Sequence, residues 1–142
     1  MLNKQRHIYT KEQVRSYEGE AAKQCGIDLF TLMQRAGESV YKQWQSFNAK
    51  LTLIIVGNGN NAGDAYIASR LIKDSGAEVK VCAIDPAKTL SGDAAKAKQL
   101  WLDTGGIVNE FAKSDLDCCD CVIDGLLGTG LNSPVHENYC EI

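Results

Sequence analysis

Two spacings of hydrophobic residues alternate along the chain. Thr10-Lys11-Glu12-Gln13 has a Gln three residues after a Thr, a capping box, and opens helical text that runs to about Gln24. Cys25-Gly26 stops it. Asp28 is placed to cap a second helix. There Leu29, Leu32, Met33, Ala36, Val40, Tyr41 and Trp44 recur at three- and four-residue spacing, the stripe of a helix facing a core. Leu51 to Val56 is different: a continuous apolar, β-branched run bounded by Gly57, as a central parallel strand reads. Leu53 and Ile55 are expected to be almost fully buried. A helix is expected from about Asp64 to Ser75, ended by Gly76. A strand follows from Glu78 to Ile84, then a helix from Ser91 through Trp101 to Thr104, ended by Gly105-Gly106. Ile107-Val108 is at most a short strand, and Cys121 to Asp124 reads as a short buried one. Gly125 to Pro134 is a glycine-rich loop, and Pro134 suits the first turn of a last helix.

Strands alternating with helices predict an α/β domain with a mostly parallel sheet and right-handed crossovers. The 142 residues fit one domain, 1–142. Hydrophobic residues at 44% and charged residues at 23% are ordinary for a globular chain. A net charge of −3 argues against a nucleic-acid partner held through phosphates. No apolar run approaches the ~20 residues that span a bilayer, so no membrane partner is expected. The polar start, Met1 to Gln13, lacks the apolar middle of a secretory signal. The six cysteines are read as reduced thiols of a cytoplasmic protein. Cys118 to Cys121 contains a C-x-x-C, but a zinc site needs a second ligand pair, and only His7 and His136 are at hand. Thiols entering a strand are the simpler account.

Candidate chemistry lies in two loops. Gly57-Asn58-Gly59-Asn60-Asn61-Ala62-Gly63-Asp64 joins a buried strand to a helix start. Such a turn offers backbone N–H groups and the positive end of a helix dipole to an anion. Asn60 and Asn61 add amide oxygens for a hard cation and amide N–H groups for a phosphate. A plain tight turn with Asp64 as helix cap is the alternative. The text also fits G-x-G-x-x-A, with Asp85 at the end of the next strand, a weak match to a dinucleotide fingerprint. The second loop, Asp124 to Pro134, leaves the carboxyl end of another strand, the edge where open α/β sheets bind ligands. Gly128 and Gly130 offer a backbone cradle. Asp64 and Asp124 would then stand near one anion site, one holding a cation and one moving protons.

These residues carry a resemblance. Gly57 to Ala65, with Tyr66, Ala68 and Arg70, resembles the first motif of the YjeF N-terminal family. Val122 to Leu131 and Pro134 resemble its second, and Met33 with Arg35-Ala36-Gly37 resembles its N-terminal helices. The family comprises NAD(P)H-hydrate epimerases, which interconvert the S and R forms of hydrated NADH and NADPH for cofactor repair. The resemblance implies a Rossmann-like three-layer α/β/α fold, a homodimer, a potassium ion (K+) in the site and a fused or separate dehydratase. Position by position, Asn60, Asn61, Ala62, Gly63 and Asp64 would contact the hydrated nucleotide. Gly128, Thr129, Gly130, Leu131, Asn132, Ser133 and Pro134 would hold its phosphates. Asn61 and Asp124 would ligate potassium, and Asp124 is the candidate catalytic acid and base. Ala62 and Ala65 stand where the family has Gly, which is accommodated only if both avoid positive φ. The family's later strand, ending in an acidic residue and Pro-Ser-Gly, is not present before Ile142, so the domain is expected to be C-terminally truncated. A dehydrogenase half would need a catalytic domain. A non-catalytic nucleotide-binding and dimerisation module, as in RNA-decapping scaffolds, is the rival, against which the intact Asn-Asn-x-Gly-Asp and Asp124 weigh.

Overall fold

The structure, a computed structural model, describes residues 8–131 and 134–135. Helix α1 spans Lys11–Gln24 and α2 spans Leu29–Trp44, followed by a 3-10 turn at Gln45–Phe47. Strand β1 is Leu51–Val56, α3 is Asn60–Asp74, β2 is Glu78–Ala83, α4 is Gly92–Asp103 and β3 is Val108–Glu110. A second 3-10 stretch, Lys113–Cys118, leads to β4, Cys121–Gly125. The four strands form one sheet in the order β3-β2-β1-β4, every pair parallel. This is the parallel α/β arrangement that the alternating pattern predicts, and the Rossmann-like fold that the resemblance implies.

Caps read from the sequence are in place. Gln13 donates its N–H to the Thr10 hydroxyl at 3.3 Å, and Thr10 donates its N–H to the Gln13 side chain at 2.8 Å. Asp28 accepts from the Thr31 N–H at 2.7 Å. Gly26, with φ +65°, closes α1 in the left-handed region that favours glycine.

The sheet has two unlike faces. Ile54, Val56, Val81 and Ala83 pack under α2, α3 and α4 in the main core, with Tyr66, Ile67 and Trp101. Leu53, Ile55 and Cys82 point the other way, where Phe111, Leu116 and Leu126 cover them. Among the described residues the α-helices of the core therefore lie on one face, and the 3-10 stretch makes the opposite layer. Leu53 and Ile55 are 1% and 3% exposed, as expected for a central strand.

Three expectations need correction. Helix α3 starts at Asn60, not near Asp64, because extended Gly59 caps it and Asp64 lies inside its second turn. Strand β4 is not fully buried: Val122 is 45% exposed and Asp124 is exposed, since the strand alternates and only Cys121 and Ile123 meet the main core. Leu29 is 53% exposed, because as the first residue of α2 it precedes the buried stripe. Ala62 and Ala65 both lie within α3 at negative φ, so their methyl groups are accommodated, 0% and 3% exposed.

Candidate functional site

The chain leaves β1, winds back through α3, β2, α4 and β3 on one side, then crosses the opposite face to place β4 on the other side of β1. The strand order reverses between β1 and β4. The crevice outside the carboxyl ends of such a pair is where open α/β sheets take ligands. Both glycine loops open there.

The two loops are fastened to each other. Gly57 donates its N–H to the Gly125 carbonyl at 3.1 Å, continuing the ladder past the strand ends. A Cβ on Gly57 would lie 2.0 Å from the Leu126 carbonyl oxygen, so no side chain fits there. The Asn61 amide Nδ2 donates to the Leu127 carbonyl at 3.2 Å. Gly128 passes so near α3 that an added Cβ would lie 3.2 Å from Asn61 Cβ. The expected meeting of the Asn60–Asp64 and Gly128–Gly130 regions at one edge is what the structure holds, with no hairpin at Gly57–Gly63.

Each candidate residue has a definite place. Asn60 is exposed and Asn61 half-buried at the first turn of α3. Ala62 is fully buried and its N–H bonds the Gly59 carbonyl at 3.1 Å, so it supports the turn from below. Gly63 is buried, with Met33 Sδ 2.5 Å from where a Cβ would be, and packs α3 onto α2. Asp64 is half-buried, and burial, with the charge of Glu18 second, pushes its carboxyl from 3.8 up to about 6. Gly128, Thr129, Gly130, Leu131 and Pro134 are exposed, while Asn132 and Ser133 lie outside the described residues. Asp124 pairs in register with Ile55 and shares its face, and its Oδ1 accepts from the Leu126 N–H at 2.8 Å. That bond fixes the carboxylate at the loop mouth and leaves Oδ2 for other partners.

Two oxygen donors of the kind hard cations take stand at this junction. With Nδ2 of Asn61 turned to Leu127, its Oδ1 is left as a neutral hard ligand, and Asp124 adds a carboxylate oxygen. Among the described residues no three His, Cys, Asp or Glu side chains cluster to hold a metal. Cys118 is exposed and Cys121 partly buried, while His7 and His136 lie outside the described residues.

Sequence reading missed helix α1 at this site. Lys11 Nζ donates to the Leu131 carbonyl at 3.3 Å, and Arg15 Nη2 lies 3.7 Å from where a Gly130 Cβ would be. Lys11, Arg15 and Glu18 fall at i, i+4 and i+7, one helical face, which was the signal available. No helix among the described residues is long and apolar enough to cross a membrane.

Known proteins are similar to this chain in sequence and in fold. Over 137 residues the chain is 35% identical to the bifunctional NAD(P)H-hydrate repair enzyme Nnr of Escherichia coli, covering 95% of this chain and 27% of that protein. A bifunctional NAD(P)H-hydrate repair enzyme of Leishmania braziliensis is 37% identical over 143 residues, covering 96% of this chain and 26% of that one. An NAD(P)H-hydrate epimerase of Rhodopirellula baltica is 30% identical over 138 residues, 94% of this chain and 57% of that one. The chain thus spans about a quarter of the bifunctional relatives and just over half of the epimerase. The crystal structure of yeast YNL200c has the same fold, with a TM-score of 0.77 at 21% identity over 96% of this chain and 63% of that one. The model of the YjeF-related protein N-terminus matches residues 29–142, and the chain belongs to that family.

Proposed function

We propose that this protein epimerises hydrated NADH and NADPH, interconverting their S and R forms. The observation that carries the reading is the pair of glycine loops fastened at the switch point, with Asn61 and Asp124 each bonded to the second loop there. The names of the relatives from Rhodopirellula and Escherichia support the substrate class.

In the reaction the C6 hydroxyl of the hydrated ring leaves as water, taking the bonding electron pair, and the ring nitrogen supplies electrons to form an iminium. Water then adds to C6 from the opposite face and loses a proton. A carboxyl group protonates the leaving hydroxyl and its carboxylate accepts the later proton, so protons balance over the cycle. Asp124 is assigned this role at the loop mouth. Asp64 is the second assignment: it lies half-buried in α3, one turn after Asn61, and burial pushes its carboxyl up to about 6. Asn61 Oδ1 and Asp124 would hold potassium, which supplies positive charge beside the substrate's phosphates. Backbone N–H groups at Asn60 and Asn61 and around Gly128 to Leu131 would bind those phosphates. Pairing of two subunits and an ADP-dependent dehydratase partner belong to the same reading, the latter supported by the word bifunctional in two relatives' names.

The test is epimerisation above the spontaneous rate. Asp124→Asn should lower the rate about 10²–10⁴-fold with the thermal melt unmoved. Raising potassium restores part of the rate if Asp124 only holds the ion, and none if it transfers protons. Full activity in Asp124→Asn removes it from the site. Nucleotide binding without epimerisation by the unmodified protein would leave the rival non-catalytic module.

A further inference from the structure

We propose that α1 forms a third wall of the nucleotide site, with Arg15, assisted by Lys11, binding the substrate's phosphate groups. The inference rests on the nucleotide reading of the site. The two loops, Gly57 to Asp64 and Asp124 to Pro134, contain two carboxylates and no basic residue. A dinucleotide brings at least two negative charges on its diphosphate, and hydrated NADPH brings more. Backbone N–H groups supply only partial charges against them. A potassium ion held beside Asp124 would be largely offset by that carboxylate, so the diphosphate calls for further positive charge from elsewhere in the fold.

Helix α1 delivers it. Lys11, Arg15, Glu18 and Ala22 lie on one helical face. Ala22 is 4% exposed and anchors that face. Glu18 stands close enough to α3 for its charge to act on Asp64. The same face therefore turns Arg15 and Lys11 toward the second loop, where Arg15 lies against Gly130 and Lys11 holds the Leu131 carbonyl. Arg15 is exposed, and neither of the ion pairs Lys80–Asp115 and Lys96–Asp93 uses it. Its planar fork suits two phosphate oxygens, and Gly130 puts no side chain against it.

The probe is NADPH, whose own fluorescence reports binding, titrated at low and at physiological salt. Arg15→Gln should weaken binding roughly three- to tenfold and flatten its salt dependence. Arg15→Lys should recover part of the affinity, and Arg15→Gln with Lys11→Gln should lose more than either alone. The thermal melt should not move, because Arg15 is exposed. Unchanged affinity and unchanged salt dependence in Arg15→Gln would overturn the proposal, as would a protein that does not bind NADPH. Epimerase activity is measured on the same samples. Activity with no effect of Arg15→Gln on binding defeats the α1 wall alone. Binding that depends on Arg15 without any epimerisation defeats the catalytic reading and leaves the wall standing.

Discussion

Asp64 is held at a cost to stability, and replacing it should make the protein more stable. Its carboxyl is pushed from 3.8 up to about 6 by burial first and by the Glu18 charge second. The folded state thus binds this proton more tightly than the unfolded chain does. Between pH 4 and 6 the folded form holds more protons, so stability falls as pH rises and levels off above about 6. A shift of about 2 units at 1.36 kcal/mol each sets a ceiling of about 3 kcal/mol. Partial exposure of Asp64 screens the charge and reduces the expected figure to about 1–2 kcal/mol. Asp64→Asn keeps the shape and helix preference and removes the charge. At pH 7.5 its urea midpoint should rise by roughly 0.5–1 M, given slopes of about 1–3 kcal/mol per M. At pH 4 the gain should shrink to a few tenths of a kcal/mol. Glu18→Gln should produce a smaller rise with the same pH dependence. An equal midpoint shift at both pH values, or a fall at pH 7.5, refutes the reasoning. Activity should move the other way, the usual exchange when a charged site group is removed.

Gly57→Ala should destabilise the fold by about 1–3 kcal/mol in a denaturant melt and weaken nucleotide binding, because its Cβ meets the Leu126 carbonyl and pushes the loops apart. Trp44→Phe should cost about 1–2 kcal/mol by the same melt, since it removes the indole N–H that donates to the fully buried Thr52 hydroxyl at 2.7 Å. Asp120 accepts from the N–H groups of Lys50 and Leu51, each at 3.0 Å, bonds that hold its carboxyl below the ordinary 3.8. Asp120→Ala should lower the melting temperature at pH 7, and the difference should fade as the pH drops below about 4, where the wild-type carboxyl also loses its charge.

What was legible in the sequence is what local chemistry decides. Thr10 and Asp28 bond their helices within three residues, and β1 declares itself by six apolar or β-branched residues in a row. The two glycine loops were legible because close approach admits no side chain at Gly57. The start of α3 was not, since Gly59 caps it without a side chain and Asn-Asn-Ala-Gly has the composition of a turn. The exposed half of β4 was hidden in a short apolar run, which looks alike whether one face or both are covered. The position of α1 was illegible for a different reason. Its contact with the second loop joins Lys11 to Leu131, 120 residues apart, and nothing local to either residue encodes it.

The two candidate carboxylates belong to different layers of the fold. Asp64 rides on α3, above the face that holds Ile54 and Val56, whereas Asp124 shares the face of Leu53 and Ile55. Their environments differ accordingly: Asp64 is half-buried and pushed up to about 6, while Asp124 is exposed at the mouth and tied to the Leu126 N–H. An epimerisation that expels a hydroxyl from one face of a ring and admits water to the other needs proton transfer on both sides of one atom. A single carboxylate would have to serve both faces or the ring would have to turn over between steps. With both assignments in force, Asp124 from one layer and Asp64 from the other would each serve one face of the ring. On the proposed reading, this is why the switch between β1 and β4 is the productive place for the site: it is where groups from both layers meet one ligand.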